Sequence, residues 1–268
     1  MRVLAMLFLA STLSAAASTA VAPLQCDLMA TCKSFKSCKG LHEPPPRQFV
    51  VSFVTTAGVI NMTVETEWAP PLALRVWQLA RLGYWSGAPF YRVDSSPSPG
   101  FVIQFGYKGE PAGLDSCWDE HQTTNVSWKP LAPGNVRGSC SFSMGAVASL
   151  PGNPNCTSTQ YCAQGLSTNI FFNLNNNTRL DAPGFAPFGH LDDASLAVAE
   201  SLYPGYGECS DLCNPGSKDP FCCGTGADCK GVSMEQLLDE GAKYIHSDFP
   251  LLDSVKALKI FDTSASSE

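Results

Sequence analysis

The sequence predicts one mainly β domain with two or more helices. Short runs rich in β-branched and aromatic residues alternate with glycine and proline turns along most of the 268 residues. Such runs are typical of strands joined by loops. Only a few stretches have helical spacing, and no internal repeat is visible. The length is ample for a domain that buries its own hydrophobic core.

The first 22 residues predict a secretory signal peptide. Arg2 supplies one positive charge, an apolar stretch follows to Ala10, and small residues continue to Ala20. This is the layout of a cleaved targeting segment, and its apolar part is shorter than the roughly 20 residues that a membrane-spanning helix needs. We therefore expect a soluble protein in the secretory pathway, lumenal or extracellular, with an uncleaved membrane anchor as the alternative.

All twelve cysteines follow this segment. An even number in an oxidising compartment predicts disulfide bonds, although their connectivity stays open. The pairs Cys222/Cys223 and Cys209/Cys213 lack the C-x-x-C spacing of redox or metal sites, and no histidine stands beside them at ligand spacing. The redox or metal hypothesis is therefore the weakest, and we expect no metal or cofactor.

The net charge bears on the possible partners of the protein, and the glycosylation sequons bear on its compartment. The formal net charge of −7 argues against nucleic acid, since phosphate binding needs a basic face. Four N-glycosylation sequons, at Asn61, Asn125, Asn155 and Asn176, are compatible with a glycoprotein of the secretory pathway.

A Cys-rich arm at residues 23–47 precedes the main domain. Three consecutive prolines close the arm, because proline cannot continue a helix or a central strand. β-Branched runs around a glycine turn then predict a hairpin, and an amphipathic stretch between two prolines and Gly83 predicts a helix. The predicted elements up to residue 107 are a hairpin (49–56 and 58–64), a helix (72–81) and a strand–turn–strand unit (84–107).

The second half contains two Cys-rich insertions, at about 147–166 and 209–229. In the first, Cys156 and Cys162 are close enough in sequence to predict a local loop disulfide. Residues 108–137 are rich in Gly, Pro and Asn and predict a loop. The other predicted elements are strands (138–146, 167–174 and 255–261) and helices (192–203 and 233–244), before a short tail (263–268).

Arg92 is the one cation in an aromatic and apolar stretch that includes Phe90, Tyr91, Phe101 and Phe105. A guanidinium in such surroundings is costly to desolvate unless its charge has a use. The plain alternative is a core segment whose arginine reaches solvent.

Six stretches, in this order, resemble the sequence pattern of cyclophilin-type peptidyl-prolyl cis–trans isomerases. They are Phe90–Val93, Pro99–Gln104, Gly138–Met144, Ser167–Leu174, Leu180–Asp181 and Gly184–Gly189. The resemblance covers residues 48–262 apart from the insertions. It implies a closed antiparallel eight-stranded barrel capped by two helices, with the Cys-rich segments inserted into it.

The resemblance also implies roles for individual residues. Arg92 matches the catalytic arginine of the family, and Gln104 matches the polar residue that positions the arginine and the substrate backbone. The pocket for the substrate proline is matched by Phe101, Val102, Phe171 and Leu180, and further substrate-binding positions by Gly145, Asn169 and Phe185.

Several positions depart from the family pattern. Tyr91 and Phe185 stand where many members have histidines. Asn169 replaces a glutamine, and Ala146 replaces an asparagine whose backbone binds substrate. Arg179 falls where some members have a Trp or Phe at the pocket rim. Because the rim is altered, a catalytically weak peptide-binding module is the alternative function.

The expected function is isomerisation of X–Pro bonds during protein folding in the secretory pathway. The expected partners are proline-containing peptides or protein clients, and the enzyme is expected to act as a monomer. Rotation about an amide needs no nucleophile, proton transfer, metal or cofactor, so the lack of such motifs agrees with this function.

Overall fold

The computed structural model of the protein describes residues 18–25, 38–94, 100–107, 132–148, 156–159, 161–206 and 231–263. Nine strands form one sheet and two form a separate hairpin. The strands are β1 (Thr19–Ala20), β2 (Gln48–Thr55), β3 (Val59–Glu65), β4 (Arg92–Val93), β5 (Val102–Phe105), β6 (Ser139–Phe142), β7 (Gly145–Ala148), β8 (Tyr161–Gln164), β9 (Ile170–Asn173), β10 (Pro187–Leu191) and β11 (Val255–Asp262). The helices are α1 (Pro70–Arg81), α2 (Asp193–Glu200), α3 (Met234–Glu240) and α4 (Ala242–Asp248), with a 3-10 turn at Thr178–Leu180.

The main sheet confirms the predicted mainly β fold but not its closure. Its strands follow the order β1-β11-β2-β3-β10-β6-β9-β5-β4, and each neighbouring pair is antiparallel. The predicted closed barrel is wrong, because β4 and β1 are edges of the sheet within the described residues. The segment before β4 meets the start of β11 at the isolated bridge between Pro89 and Ser254, which is flanked by a few backbone hydrogen bonds but is not part of a regular strand pair. Pro89 has no N–H to extend this bridge into a ladder.

The β2–β3 hairpin supplies much of the hydrophobic core. Alternate residues of a strand point to opposite faces of a sheet, so each strand gives the core every second side chain. The side chains that the two strands bury completely are Phe49, Val51, Phe53, Ile60, Met62 and Val64.

Helices α1 and α2 pack on this sheet, α1 against β10 and β11 and α2 against β3 and β10. Pro70 and Pro71 occupy the first positions of α1, where a missing N–H leaves no hydrogen bond unmade. Asp192 caps α2, since its side chain accepts a hydrogen bond of 2.7 Å from the N–H of Ser195.

Two other predicted segments differ in detail. The predicted helix at 233–244 is two helices, α3 and α4, because the chain turns at Gly241 with a φ of 64°, which favours glycine. The first insertion contains the hairpin β7–β8 rather than a loop alone. Most of the predicted loop 108–137 and the insertion 209–229 lie outside the described residues.

The described cysteines follow the disulfide prediction with one exception. Cys156 and Cys162 are bonded, with their Cα atoms 5.7 Å apart, which confirms the predicted local disulfide. Cys140 on β6 is a free thiol, so the expectation that every cysteine is paired is wrong. It is fully buried in the core, and burial raises the pKa of its thiol well above the usual value. Cys140 therefore packs as a small apolar residue.

The first and the last described strands, β1 and β11, pair at the edge of the sheet. Thr19 and Ala20 pair with the end of β11, although both fall inside the segment predicted as a signal peptide. Residues 1–17 of that segment lie outside the described residues. Among the described helices, none combines the length and the apolar character needed to span a bilayer.

Replacement of Phe105 tests the core. Its ring centre lies 4.7 Å from that of Phe90 and 5.3 Å from those of Phe53 and Phe172. Phe105→Ala is expected to lower the free energy of unfolding by about 3–5 kcal/mol, because it removes contacts and leaves a cavity. Val59→Ala, at a position 46% exposed, is the control and should cost less than about 1 kcal/mol. Urea unfolding measures both, and equal losses would contradict this description of the core.

Candidate active site

The candidate site lies on the face of β5 and β9 that points away from the main core. Ile103 and Phe105 of β5 are fully buried in that core, so Gln104 between them faces the other way. The same alternation turns Phe171 of β9 to this side, where it joins a separate apolar cluster. Cross-strand pairs place four residues in one row across strands β4, β5, β9 and β6. In that order they are Arg92, Gln104, Phe171 and Ser141.

A chain of hydrogen bonds fixes the polar part of this row. Arg92 donates from Nη1 to Oε1 of Gln104 at 3.3 Å, and Gln104 donates from Nε2 to Oγ of Ser143 at 2.9 Å. Both ends of the Gln104 carboxamide are therefore engaged, which sets its orientation and that of the guanidinium. The structure thus brings together Arg92 and Gln104, the two residues predicted to do the chemistry.

A small apolar cluster, termed here the site cluster, lies beside this polar chain. The rings of Phe171 and Phe185 meet edge to face with their centres 6.1 Å apart. Phe101 and Met144 pack at the margin of the cluster. Its buried members are Val102, Ala163, Phe171, Leu180 and Phe185, which include all but one of the aromatic and aliphatic residues predicted to bind substrate.

Buried amides hold the backbone around the site cluster. Asn177 donates from Nδ2 to the carbonyl of Phe101 at 2.8 Å. Asn135 is completely buried and donates from Nδ2 to the carbonyl of Phe185 and to Oδ1 of Asp181, each at 2.7 Å. Satisfied networks of this kind make a site rigid. The sequence analysis missed both asparagines, because no local pattern links them to the cluster.

Phe101 is the meeting point of two cations. The guanidinium carbon of Arg179 lies 4.3 Å from the ring centre, and that of Arg92 lies 5.4 Å from it. Asp94 pairs with Phe101 across the hairpin through a backbone hydrogen bond. Burial raises the pKa of the Asp94 carboxyl above its usual value of 3.8, and the charges of Arg92 and Arg179 oppose that rise. Asp94 is a further residue that the sequence analysis missed.

Asn169 and Tyr91 lie behind the site and connect to each other. The Asn169 side chain is buried, and its Oδ1 accepts hydrogen bonds from the Tyr91 hydroxyl at 2.9 Å and from the N–H of Tyr107 at 3.1 Å. Tyr91 also packs against the helices α3 and α4. Asn169 is a predicted substrate-binding residue, and its carboxamide oxygen is engaged within the fold.

The predicted site residue Gly145 lies at the start of β7, opposite Gln164, and is exposed. Its neighbour Met144 contacts the site cluster, and the substrate-binding role of Gly145 stays a prediction. Ala146 follows in the same strand. No group of three or more His, Cys, Asp or Glu side chains that could hold a metal ion occurs in the part of the chain that the structure describes.

A family model identifies the class of enzyme to which this chain belongs. The family model described as "Cyclophilin type peptidyl-prolyl cis-trans isomerase/CLD" matches residues 50–203, which is more than half of the chain. The chain therefore belongs to the cyclophilin-type peptidyl-prolyl cis–trans isomerase family, and the resemblance seen in its sequence is confirmed. No curated protein matches the chain.

Solved structures similar to this chain include cyclophilins from two organisms. A cyclophilin-type isomerase of Cryptosporidium parvum has a TM-score of 0.46 and 14% identity, over 80% of this chain and 97% of its own. A structure of it in the presence of the dipeptide Ala-Pro has a TM-score of 0.40 and 18% identity, over 57% of this chain and 85% of its own. A cyclophilin from Hirschia baltica has a TM-score of 0.39 and 15% identity, over 86% of this chain and 97% of its own.

The raised pKa of Asp94 gives a prediction for Asp94→Asn. The Asp94 carboxyl binds its proton more tightly in the folded protein than in the unfolded chain. Its ionisation therefore lowers the stability of the fold at pH 7. Stability rises as the pH falls through the folded pKa towards 3.8, the usual value. Asp94→Asn should therefore be more stable than the wild type at pH 7, and this advantage should disappear below pH 3.8. Urea unfolding at a series of pH values measures the difference. An advantage that grows on acidification would contradict the assignment.

Proposed function

We propose that this chain isomerises X–Pro peptide bonds in client proteins, with Arg92 as the catalytic residue and Gln104 as the residue that positions it. The observation that carries the proposal is the hydrogen bond from Arg92 to Gln104 beside the site cluster. An oriented cation next to an apolar surface suits a substrate that joins an apolar ring to a polar amide. Proline-containing peptides are such substrates.

The chemistry needs only a well-placed donor. Rotation about an X–Pro bond has a barrier of about 20 kcal/mol, because the nitrogen shares its lone pair with the carbonyl group. Twisting the bond localises that pair on the prolyl nitrogen, where a donor stabilises it. The guanidinium of Arg92 is always charged and carries its donors in a rigid plane. Because Gln104 already orients it, little reorganisation is needed when the bond twists.

The site cluster would hold the proline ring while the carbonyl before it swings. Phe171 and Leu180 are almost completely buried, so the apolar surface that they present is fixed by packing. A ring held in place while the preceding carbonyl rotates favours the twisted state over both planar forms, which is how binding energy becomes catalysis.

A peptide-binding module with little catalysis is the second candidate function. Two departures at the site support it: Arg179 at the rim, and Asn169, whose carboxamide oxygen is engaged by Tyr91 and Tyr107. A protease-coupled assay of the wild type separates the candidates. Faster isomerisation of a peptide supports the enzyme, and peptide binding without acceleration supports the module.

We further propose that the enzyme assists protein folding in the secretory pathway or outside the cell, as a monomer. The signal-like N-terminus and the disulfide between Cys156 and Cys162 support this compartment. The free thiol of Cys140 is compatible with it, because the core shields the thiol from oxidants. A monomer suffices because one chain supplies every residue of the proposed site.

Arg92→Ala tests the catalytic role. We expect kcat/KM for an X–Pro peptide to fall about 100-fold or more, the loss typical of removing one preorganised donor. The thermal unfolding midpoint should stay close to that of the wild type, because Arg92 is only partly buried and lies outside the main core. A protease-coupled isomerisation assay gives the rate.

Arg47→Ala is the matched control for this test. Arg47 is exposed and forms an ion pair with Glu67 at 3.3 Å before strand β2, so its loss should leave kcat/KM unchanged. Turnover by Arg92→Ala equal to that of this control would remove Arg92 from the mechanism.

Glycosylation of the sequons tests whether the protein passes through the secretory pathway. Asn176 is exposed in a loop, whereas Asn61 is partly buried within β3. Strand β3 pairs on both sides, and the N–H of Asn61 donates to Oγ of Ser195. We expect a glycan on Asn176 and none on Asn61 when the protein is secreted from eukaryotic cells. Asn176→Gln should abolish one increment of mass that glycosidase treatment also removes, and Asn61→Gln should not. Secreted protein whose mass is unaffected by Asn176→Gln would contradict the prediction.

A further inference from the structure

Arg179 places a second cation at the rim of the site cluster. Its guanidinium carbon is 4.3 Å from the centre of the Phe101 ring, which Arg92 also approaches, at 5.4 Å. Arg179 is exposed and directly precedes Leu180, a buried member of the cluster. A peptide with its proline ring on the cluster would therefore carry the neighbouring residues past this arginine.

Two of the described cations, Arg92 and Arg179, lie near one carboxylate, Asp94, at this rim. Arg92 and Arg179 both act on Asp94 and oppose the rise of its pKa, so the three groups share one electrostatic environment. Together they amount to two positive charges and one negative charge. The chain as a whole has a net charge of −7, so two neighbouring cations beside one apolar cluster are a distinct local feature.

We propose that Arg179 determines substrate specificity by favouring X–Pro substrates that carry a carboxylate side chain, Asp or Glu, next to the proline. The inference rests on the proposed isomerase function and adds a substrate class to it. A guanidinium that stacks on an aromatic ring still presents the edge of its plane to a carboxylate, which is the geometry that arginine recognises best.

Because Arg179 is exposed, its preference for acidic substrates should be small and should be seen mainly in KM. An ion pair at a solvent-exposed rim is weak and is screened by salt. The pair would be present in the planar and the twisted substrate alike, since the side chain beside the proline takes no part in the rotation. The preference should therefore lie mainly in KM, with a similar kcat for the peptides compared.

The test uses the full chain and matched peptides that differ only in the residue next to the proline: Glu, Gln or Lys. One set places this residue before the proline and a second set places it after. We expect kcat/KM in low salt to be about twofold to fivefold higher for Glu than for Gln, the range of one exposed ion pair, in at least one set. Lys should be poorer than Gln. In about 1 M salt, where the Debye length is about 3 Å, the ratio should approach one.

Arg179→Gln and Arg47→Gln complete the experiment. The ratio of Glu to Gln should fall to near one in Arg179→Gln and keep its wild-type value in Arg47→Gln, which removes the same charge from the ion pair with Glu67. A wild-type ratio near one in both sets, or a ratio that survives in Arg179→Gln, would overturn the proposal. Absence of turnover of the Gln peptides by the wild type would instead contradict the isomerase function. The affinities of the same peptides, measured by fluorescence anisotropy, would then still test the selectivity.

Discussion

The two-residue alternation of strands β5 and β9 is the constraint on which the rest of the structure depends. On one face, Phe105 and Phe172 contribute large buried rings to the core, with their centres 5.3 Å apart. On the other face, Gln104 and Phe171 are directly paired and belong to the site. A shift of one residue in this register would exchange the faces and bury the polar side chain in the core. The stability of the core thus also fixes the position of Arg92, which pairs with Gln104 on the next strand.

Close backbone approach beyond the end of β5 adds a second constraint. Gly106 has a φ of 134°, and a Cβ at this position would collide with the carbonyl oxygen of Thr168. This approach lets Asn169 accept a hydrogen bond from the N–H of Tyr107 and another from the hydroxyl of Tyr91. One buried carboxamide therefore joins the residue before Arg92 to the segment that follows β5. Supporting contacts of this kind allow a site to be preorganised before substrate arrives.

The sequence predicted the parts of this molecule that depend on local pattern. Runs of β-branched and aromatic residues predicted the strands, and the resemblance to cyclophilins assigned Gln104 and Phe171 to one site. The open edge of the sheet could not be predicted, because it depends on how the backbone at Pro89 meets β11 in space. The same holds for the hydrogen bonds from Asn135 to Asp181, which are 46 residues apart. Contacts between distant segments leave no periodic trace in a sequence.

Phe101 shows how catalysis and selectivity could be separated within so small a site. Its ring contacts two guanidinium groups, which are held by different parts of the fold. Arg92 is oriented by Gln104 on β5, whereas Arg179 is carried by the 3-10 turn that also carries Leu180. A change in the turn could therefore alter the charge offered to the flanking residues of a peptide without moving Arg92, the donor proposed to meet the prolyl nitrogen. The two arginines are not fully independent, because both guanidinium groups pack on the ring of Phe101. Loss of Phe101 would remove a packing surface from both at once.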